Sequence, residues 1–326
     1  MAGRWLWDYI PDSGQKVDFI YIQHPRDRFL GYGKLFSYYP KFWWLGVRAF
    51  PLMEKYDVIV TWEANTAIPL AFFRTLLRRK STPLVVLNFV LKGRPVMDML
   101  SVIRFAMRSI DHITCLSQRE IDYYSQVLNY PIEQCSKLQG PYVGFPGLSN
   151  VQDKSGEYIF SAGRSHRDYV TLVEAMRGLP IELIINARPF NIKGLKPPHN
   201  VTINPFLPYE DFLGLMAGAK FIILPLFHAR HASGETFMAQ AMSAAKAVIA
   251  SETYSTGEMI EHGVNGMLVP PGDIQALRQA ILYLLEHPQE RFQMGQIARQ
   301  HYLERWSFPV VAVKVDHLIK QITVAK

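Results

Sequence analysis

The stretch KFIILPLFHARHASGETFMAQAMSAAKAVIAS, residues 220–251, decides the fold. KFIILPL is an uninterrupted apolar run ending at Leu226, the composition of a strand covered on both faces. A loop from Phe227 to Ser233 follows, and Phe237, Met238, Ala241, Met242 and Ala245 then recur at the spacing of a buried helix. KAVIAS (246–251) is a second apolar run. Strand, helix and strand in that order predict a parallel βαβ unit. Where loop meets helix stand Ser233-Gly234-Glu235-Thr236, and this turn has two readings. In one, Ser233 is a plain N-cap, its hydroxyl accepting an amide of the first turn. In the other, the free first-turn N–H groups and the helix dipole make an anion site, which Gly234 lets a phosphate approach without a Cβ in the way.

The same alternation runs outward in both directions. Downstream of residue 156 the predicted strands are EYIFSAG, IELIINA, a short Val201–Ile203, KFIILPL, KAVIAS and GMLVP. Helices are predicted at Asp168–Gly178, Tyr209–Ala217, around Thr236–Ala245 and at Asp273–Glu286, with helical sequence to the end of the chain. Upstream, VDFIYI (17–22), YDVIVTW (56–62), PLVVLNF (83–89) and HITCLS (112–117) alternate with three helical patterns. QGPYVGFPGLSNVQDKSG (139–156) breaks the rhythm with glycine, proline and serine. The expectation is an α/β chain of two Rossmann-like, doubly wound domains, 1–145 and 146–326, facing a cleft. In such sheets ligands bind beyond the carboxyl ends of the strands.

A second anion signal lies on the same predicted sheet edge. EYIFSAG runs into Gly163-Arg164-Ser165-His166-Arg167-Asp168 before the next helix. Two arginines beside a glycine suit a diphosphate through paired N–H donors, or are ordinary surface arginines of a βα loop. Asp168 is read as the cap of its helix.

With those residues in view, AQAMSAAKAVIASETYSTGEMIEHGVNGMLVPPGDIQAL resembles the carboxyl-terminal domain of retaining GT-B glycosyltransferases of the GT4 type (glycosyl transferases group 1). The matching positions are Gln240-Ala241-Met242-Ser243, Lys246 to Ile249, Gly257-Glu258 and Gly263-Val264-Asn265-Gly266 through Asp273, with Gly163-Arg164 after the first strand of that domain. The resemblance is strong over roughly 155–310 and weaker over 56–145. It implies a hexosyltransferase-like enzyme of glycan biosynthesis, in which residues 1–145 serve the acceptor and 146–326 the nucleotide-sugar donor. Arg164 and Arg167 would hold the diphosphate. Ser233, Gly234, Glu235 and Thr236 would contact the distal phosphate and the sugar, and Gln240 would take the place of the glutamate that grips the ribose. Phe206 and Leu207 stand where the family places the nucleobase. His228 and His231 flank the donor loop and are placed to touch the sugar, unless they merely populate a polar surface loop.

Departures accompany the likeness. The family's paired glutamates, eight residues apart, are replaced by Ala232 and Gln240, and Glu235 lies three residues after the first of them. The amino-terminal Gly-Gly loop is missing, and Asn88-Phe89 stand where a histidine is common. These losses keep two rivals open: a catalytically weak or inactive sugar-nucleotide binding protein, and a sugar-nucleotide epimerase.

Glycosyl transfer needs the departing diphosphate's charge stabilised, which guanidinium groups and helix-end amides can supply. There is no Asp-x-Asp pair in a plausible loop and no HExxH, so a metal-independent reaction is expected, with the nucleotide sugar as co-substrate and no other cofactor. The resemblance implies retention of anomeric configuration, the leaving phosphate taking the acceptor's proton. His24 and Glu63 are the candidates should a protein base act.

Charge and composition bound the partners. Hydrophobic residues make up 49% and charged residues 19% of 326, enough apolar material for two cores. Lys and Arg exceed Asp and Glu by 35 to 28, but the cations are scattered and no nucleic-acid motif accompanies them. Cys115 and Cys135 read as reduced thiols. With no apparent signal peptide and no apolar run of about 18 residues, a cytoplasmic chain is expected. RFLGYGKLFSYYPKFWWLGVRAF (28–50) and FFRTLLRRK (72–80) interleave rings with cations. That pattern either fills the first core or meets an anionic membrane surface on the cytoplasmic face of the inner membrane. The acceptor is then a glycan, a lipid-linked sugar or a small molecule.

Overall fold

The structure, a computed structural model, describes residues 39–91, 99–140, 156–228 and 232–324. The strand expected at 17–22, His24, His231 and most of the expected linker lie outside them. By internal contacts the chain divides into two compact units. One runs from Gly140 to Val311; the other contains the described residues up to Gln139 together with the chain from Ala312 onward.

The unit ending at Gln139 holds a parallel sheet in the order β1-β2-β3-β4. Its strands are β1 (Ile59–Trp62), β2 (Leu84–Leu87), β3 (His112–Cys115) and β4 (Cys135–Lys137). The sequence pattern did not mark β4, whose three residues CSK are only half-buried or exposed at the sheet edge. Helices α1 (Tyr39–Ala49), α2 (Ala64–Leu76), α3 (Leu100–Met107) and α4 (Gln118–Leu128) belong to the same unit. The start of α4 is fixed by Ser117, whose Oγ accepts from the Glu120 amide at 3.1 Å, while Glu120 Oε2 accepts from the Leu116 amide at 3.1 Å. This reciprocal bonding closes the helix start as a capping box does.

The aromatic and basic segments of this unit divide between core and surface. Trp43 meets Phe72 and Phe73 edge-on, with ring centroids 5.1 and 5.8 Å apart, and Phe72 meets Phe105 at 5.4 Å. Arg74 is fully buried and paired with Asp111 at 3.3 Å, so one of the four cations of FFRTLLRRK is interior. Trp44, by contrast, is 54% exposed, with the Arg48 guanidinium 4.8 Å from its ring centre.

The other unit holds six parallel strands in the order β10-β9-β8-β5-β6-β7. They are β5 (Tyr158–Ala162), β6 (Glu182–Asn186), β7 (Val201–Asn204), β8 (Ile222–Leu224), β9 (Val248–Ser251) and β10 (Met267–Val269). Counting from β5, this is the 3-2-1-4-5-6 order of a doubly wound dinucleotide-type sheet, which reverses direction between β5 and β8. Successive strand residues serve opposite faces. Ile159, Leu183, Ile223 and Ile249 join one apolar cluster with α5 (Tyr169–Ala175) and α9 (Ile274–Glu286). Phe160, Ile222, Leu224 and Val248 join another with α6 (Tyr209–Gly218) and α7 (Glu235–Ser243). Burial on both faces is why these strands read as unbroken apolar runs. A short α8 (Thr256–Met259), α10 (Pro288–His301), a π-helical turn at Tyr302–Trp306 and α11 (Phe308–Val324) follow in sequence. Among the described residues no helix is long and apolar enough to cross a membrane.

Candidate active site

The direction reversal of the six-stranded sheet brings two βα turns together. After β5, Gly163 takes φ +120°, a conformation open to glycine, and a Cβ there would lie 2.4 Å from Arg167 Nη2. The absent side chain is therefore the space in which the guanidinium lies. Arg167 is only 6% exposed; its Nε donates to the Ala162 carbonyl at 2.9 Å and its Nη1 to the Ser165 carbonyl at 2.8 Å. Burial pushes its pKa down, and Tyr169 and Glu235 pull it back up. The Tyr169 hydroxyl donates to the Gly163 carbonyl at 2.8 Å, holding the turn from the helix side.

Arg167 thus differs from the expectation of a free, paired donor set. Two of its N–H directions are committed to its own loop, and its charge lies under the turn. Arg164 is exposed, and its backbone carbonyl accepts from Asn191 Nδ2 at 2.9 Å. Asp168 caps α5, as read from sequence, accepting from the Thr171 amide at 3.1 Å.

The turn after β8 adjoins this one. The Phe227 amide donates to the His166 carbonyl at 3.0 Å and the Asp168 amide to the Pro225 carbonyl at 3.1 Å. Ser233 Oγ and His166 Nδ1 are 3.4 Å apart. The expectation that Ser233 caps α7 is corrected here. The N-cap is Gly234, at φ +95°, and no side chain caps the helix, because the serine precedes the cap and its hydroxyl is turned to His166. The glycine has a structural reason as well: a Cβ on Gly234 would stand 2.9 Å from a Leu224 methyl. α7 consequently begins without a side-chain cap from its N-cap residue, an arrangement that suits an anion at the helix start.

Around that helix start, Glu235 is buried and within electrostatic reach of Arg167, while Thr236 is exposed. Gln240 is buried and hydrogen-bonded to the Tyr209 side chain at the start of α6. Burial raises the Tyr209 phenol above its ordinary value, and the Gln240 bond partly offsets this. Phe206, beyond the carboxyl end of β7, is 71% exposed, with Leu207 half-buried beside it. His228 is exposed and edge-on to Tyr254, ring centroids 6.3 Å apart.

His166, which bonds one turn to the other, Asn191, which holds the Arg164 carbonyl, and Tyr209, which meets Gln240, were not singled out from sequence. His166 gave no motif signal, because its part depends on a backbone φ of +54° rare for a residue with a side chain.

The turn at 233–236 lies within residues 190–301, which match the family described as Glycosyl transferases group 1. That segment is similar to the group 1 glycosyl transferases. The match begins after Gly163–Arg167, so the Gly-Arg turn joins the group 1 segment through space, by the hydrogen bonds above. The chain is 27% identical over 183 residues to the D-rhamnosyltransferase WbpZ of Pseudomonas aeruginosa, covering 56% of this chain and 46% of that protein. It therefore spans about half the length of the curated relative it matches. Among solved structures it is similar to a sucrose-phosphate synthase from Thermosynechococcus elongatus, with TM-score 0.73 and 18% identity over 94% of this chain and 84% of that one. It is also similar to Anabaena HepE in complex with UDP and glucose, with TM-score 0.67 and 20% identity over 88% and 83%. Likeness at such identity is likeness of fold, and the fold is that of GT-B glycosyltransferases.

In the four-stranded unit, Glu63 and Asn88 follow β1 and β2 with φ +64° and +53°. The two strands pair with Trp62 opposite Leu87, so these residues stand side by side at the carboxyl edge. The Glu63 amide donates to the Leu87 carbonyl at 2.9 Å, and Asn88 Oδ1 is buried with no hydrogen-bond partner among the described residues.

Proposed function

We propose that this protein is a glycosyltransferase that moves a sugar from a nucleotide-diphosphate sugar to an acceptor hydroxyl, with retention and without a metal. The observation that carries this reading is the pair of turns bonded to each other where the six-stranded sheet reverses, one with an exposed arginine and the other an uncapped helix start. In this reading Arg164 reaches the diphosphate as a free guanidinium, and the α7 amides take the distal phosphate. Arg167 acts as a positioning residue: its buried charge adds to the positive field beneath the turn while its backbone bonds fix the loop. Gln240 offers the ribose a neutral amide, oriented by Tyr209. Charge developing on the departing diphosphate then meets positive groups already in place, with no reorganisation needed at the moment of bond breaking.

The crystal structures of HepE in complex with UDP and with UDP-glucose support a nucleotide sugar as the donor class. The chain is proposed to act in the cytoplasm. For the acceptor side, Trp44, Val47, Leu76 and Leu77 are exposed on the packed helices α1 and α2, with Arg48 and Arg78 also exposed there. That surface supports attachment to an anionic bilayer and a lipid-linked acceptor. Sedimentation with vesicles, with and without anionic lipid, tests it; no binding at low salt removes it.

The activity test is incubation with UDP-, GDP- and ADP-sugars with and without EDTA, scoring released nucleotide and, by NMR, the anomeric configuration of the product. The expectation is turnover of one donor, unaffected by EDTA, with retention. Binding without hydrolysis or transfer would establish the non-catalytic alternative that the absent glutamates keep open.

A further inference from the structure

The carboxyl edge of the four-stranded sheet holds two polar side chains that the fold does not use. Glu63 is the N-cap of α2, where a carboxylate ordinarily accepts first-turn amides, yet its side chain makes no cap bond. Among the described residues its half-buried carboxylate has no hydrogen-bond or ion-pair partner. Asn88, beside it at the end of β2, is alike: half-buried, its Oδ1 enclosed and met by no donor among the described residues. A buried carbonyl oxygen without a donor is rare in a native chain and calls for a partner from outside it.

Both residues are fixed through neighbouring backbone. Thr66 Oγ1 bonds the Trp62 and Glu63 carbonyls, the second at 2.9 Å. The Asn88 amide donates to Thr114 Oγ1 at 3.0 Å, and the Phe89 amide to the Thr114 carbonyl at 2.8 Å. These bonds hold φ at +64° and +53°, so both side chains leave the strand alternation at adjacent strand ends. Neighbouring strands lie about 4.8 Å apart, a spacing at which one small ligand spans the carboxylate and the amide. Trp62, directly before Glu63, is 37% exposed and adds an accessible ring at the same strand end.

The chemistry of this set selects its ligand. An ionised carboxylate only accepts hydrogen bonds, an amide both accepts and donates, and among the described residues neither is paired with a cation. A phosphate or carboxylate would meet Glu63 as a like charge. Neighbouring hydroxyls of a sugar, each a donor and an acceptor, match both groups, and the face of a sugar ring suits an indole. We propose that Glu63 and Asn88 bind a neutral saccharide through neighbouring hydroxyls. That this saccharide is the acceptor rests on the transfer reading above; its uncharged character where it is held rests on the site alone.

The test is hydrogen–deuterium exchange of the full chain titrated with the methyl glycosides of glucose, galactose, mannose and N-acetylglucosamine. Methyl glucuronide is the anionic comparison, and each is run with and without UDP, GDP or ADP. The expected result is protection of segments 61–66 and 86–91 by a neutral glycoside and not by the glucuronide. Glu63→Gln should raise the half-protecting concentration of that glycoside about tenfold, the loss of a charge-assisted hydrogen bond, and narrow the discrimination against glucuronide. Asn88→Gly, which keeps the left-handed backbone, should raise it about fivefold. A merely structural Glu63 would leave the discrimination as it was. No protection of these segments by any neutral glycoside, equal protection by the glucuronide, or unchanged discrimination in Glu63→Gln would overturn the proposal. Should Glu63→Gln not fold, the neutral and anionic glycosides on the unsubstituted protein decide. Protection of 163–168 by nucleotide sugars is read separately: its absence would remove the donor reading and leave the saccharide site standing.

Discussion

The carboxyl edges of the two sheets turn by different means. After β5 the chain bends on glycine, at φ +120°, and the vacated space is filled by a guanidinium from four residues on. After β1 and β2 it bends on Glu63 and Asn88, at +64° and +53°. Glycine enters such backbone freely, whereas an ordinary side chain in the left-handed region costs about 1–2 kcal/mol. The first edge is thus built on glycine around its arginines, with His166 alone of its described side-chain residues at positive φ, +54°. The second stores strain in residues that bear carboxyl and amide groups, as sites that hold ligands commonly do.

The largest effect expected from this contrast is at the glycine edge. Gly163→Ala must take a forbidden φ and place a methyl group against Arg167, so urea unfolding should show a loss of about 2–4 kcal/mol. A loss below about 0.5 kcal/mol, within the range of ordinary surface changes, would mean that the turn does not depend on glycine.

The four-stranded sheet differs also in holding a half-buried imidazole. Burial depresses the His112 pKa to about 4 from 6.5, and the ring lies 2.8 Å from Ser136 Oγ. The folded state keeps this ring neutral where the unfolded chain protonates it. Stability is therefore full above the ordinary value of 6.5 and falls as pH drops toward about 4. The loss is on the order of 2–3 kcal/mol, and His112→Gln should remove that part of the slope in unfolding curves measured across the range. Identical slopes in the two proteins would show that the imidazole is not held neutral.

Smaller effects sharpen the comparison. Glu63→Gly should raise stability by about 1 kcal/mol through relief of strain and lower transfer, if the strain holds the carboxylate toward the acceptor. Greater stability with unchanged turnover would make the strained edge a matter of folding alone. Gln240→Ala should weaken donor affinity several-fold, about 1 kcal/mol for a neutral hydrogen bond. A loss of a hundredfold would mark Gln240 as more than a neutral partner.

The doubly wound sheet was legible because strands such as FIIL and VVL are buried on both faces and therefore read as unbroken apolar runs. β4 was not, since CSK pairs at an edge without apolar residues to announce it. Asp168 as a cap was readable from its place before an apolar pattern. Ser233 sits in the same kind of context, yet the cap falls one residue later, on a glycine that Leu224 requires. Sequence shows that a helix begins there, but not which residue takes the non-helical φ. Nor could it separate Arg164 from Arg167, because whether a guanidinium faces outward or folds back on carbonyls depends on backbone geometry that both share.

The donor site turns on that separation. The direct measurement is the shift in melting temperature caused by the preferred nucleotide sugar, compared between the unsubstituted protein and Arg164→Ala. A ligand that binds only the folded state raises its melting point. The Arg164 side chain is exposed, so the substitution should leave the ligand-free melting temperature in place and abolish the shift. A shift of undiminished size in Arg164→Ala would take the diphosphate away from this turn.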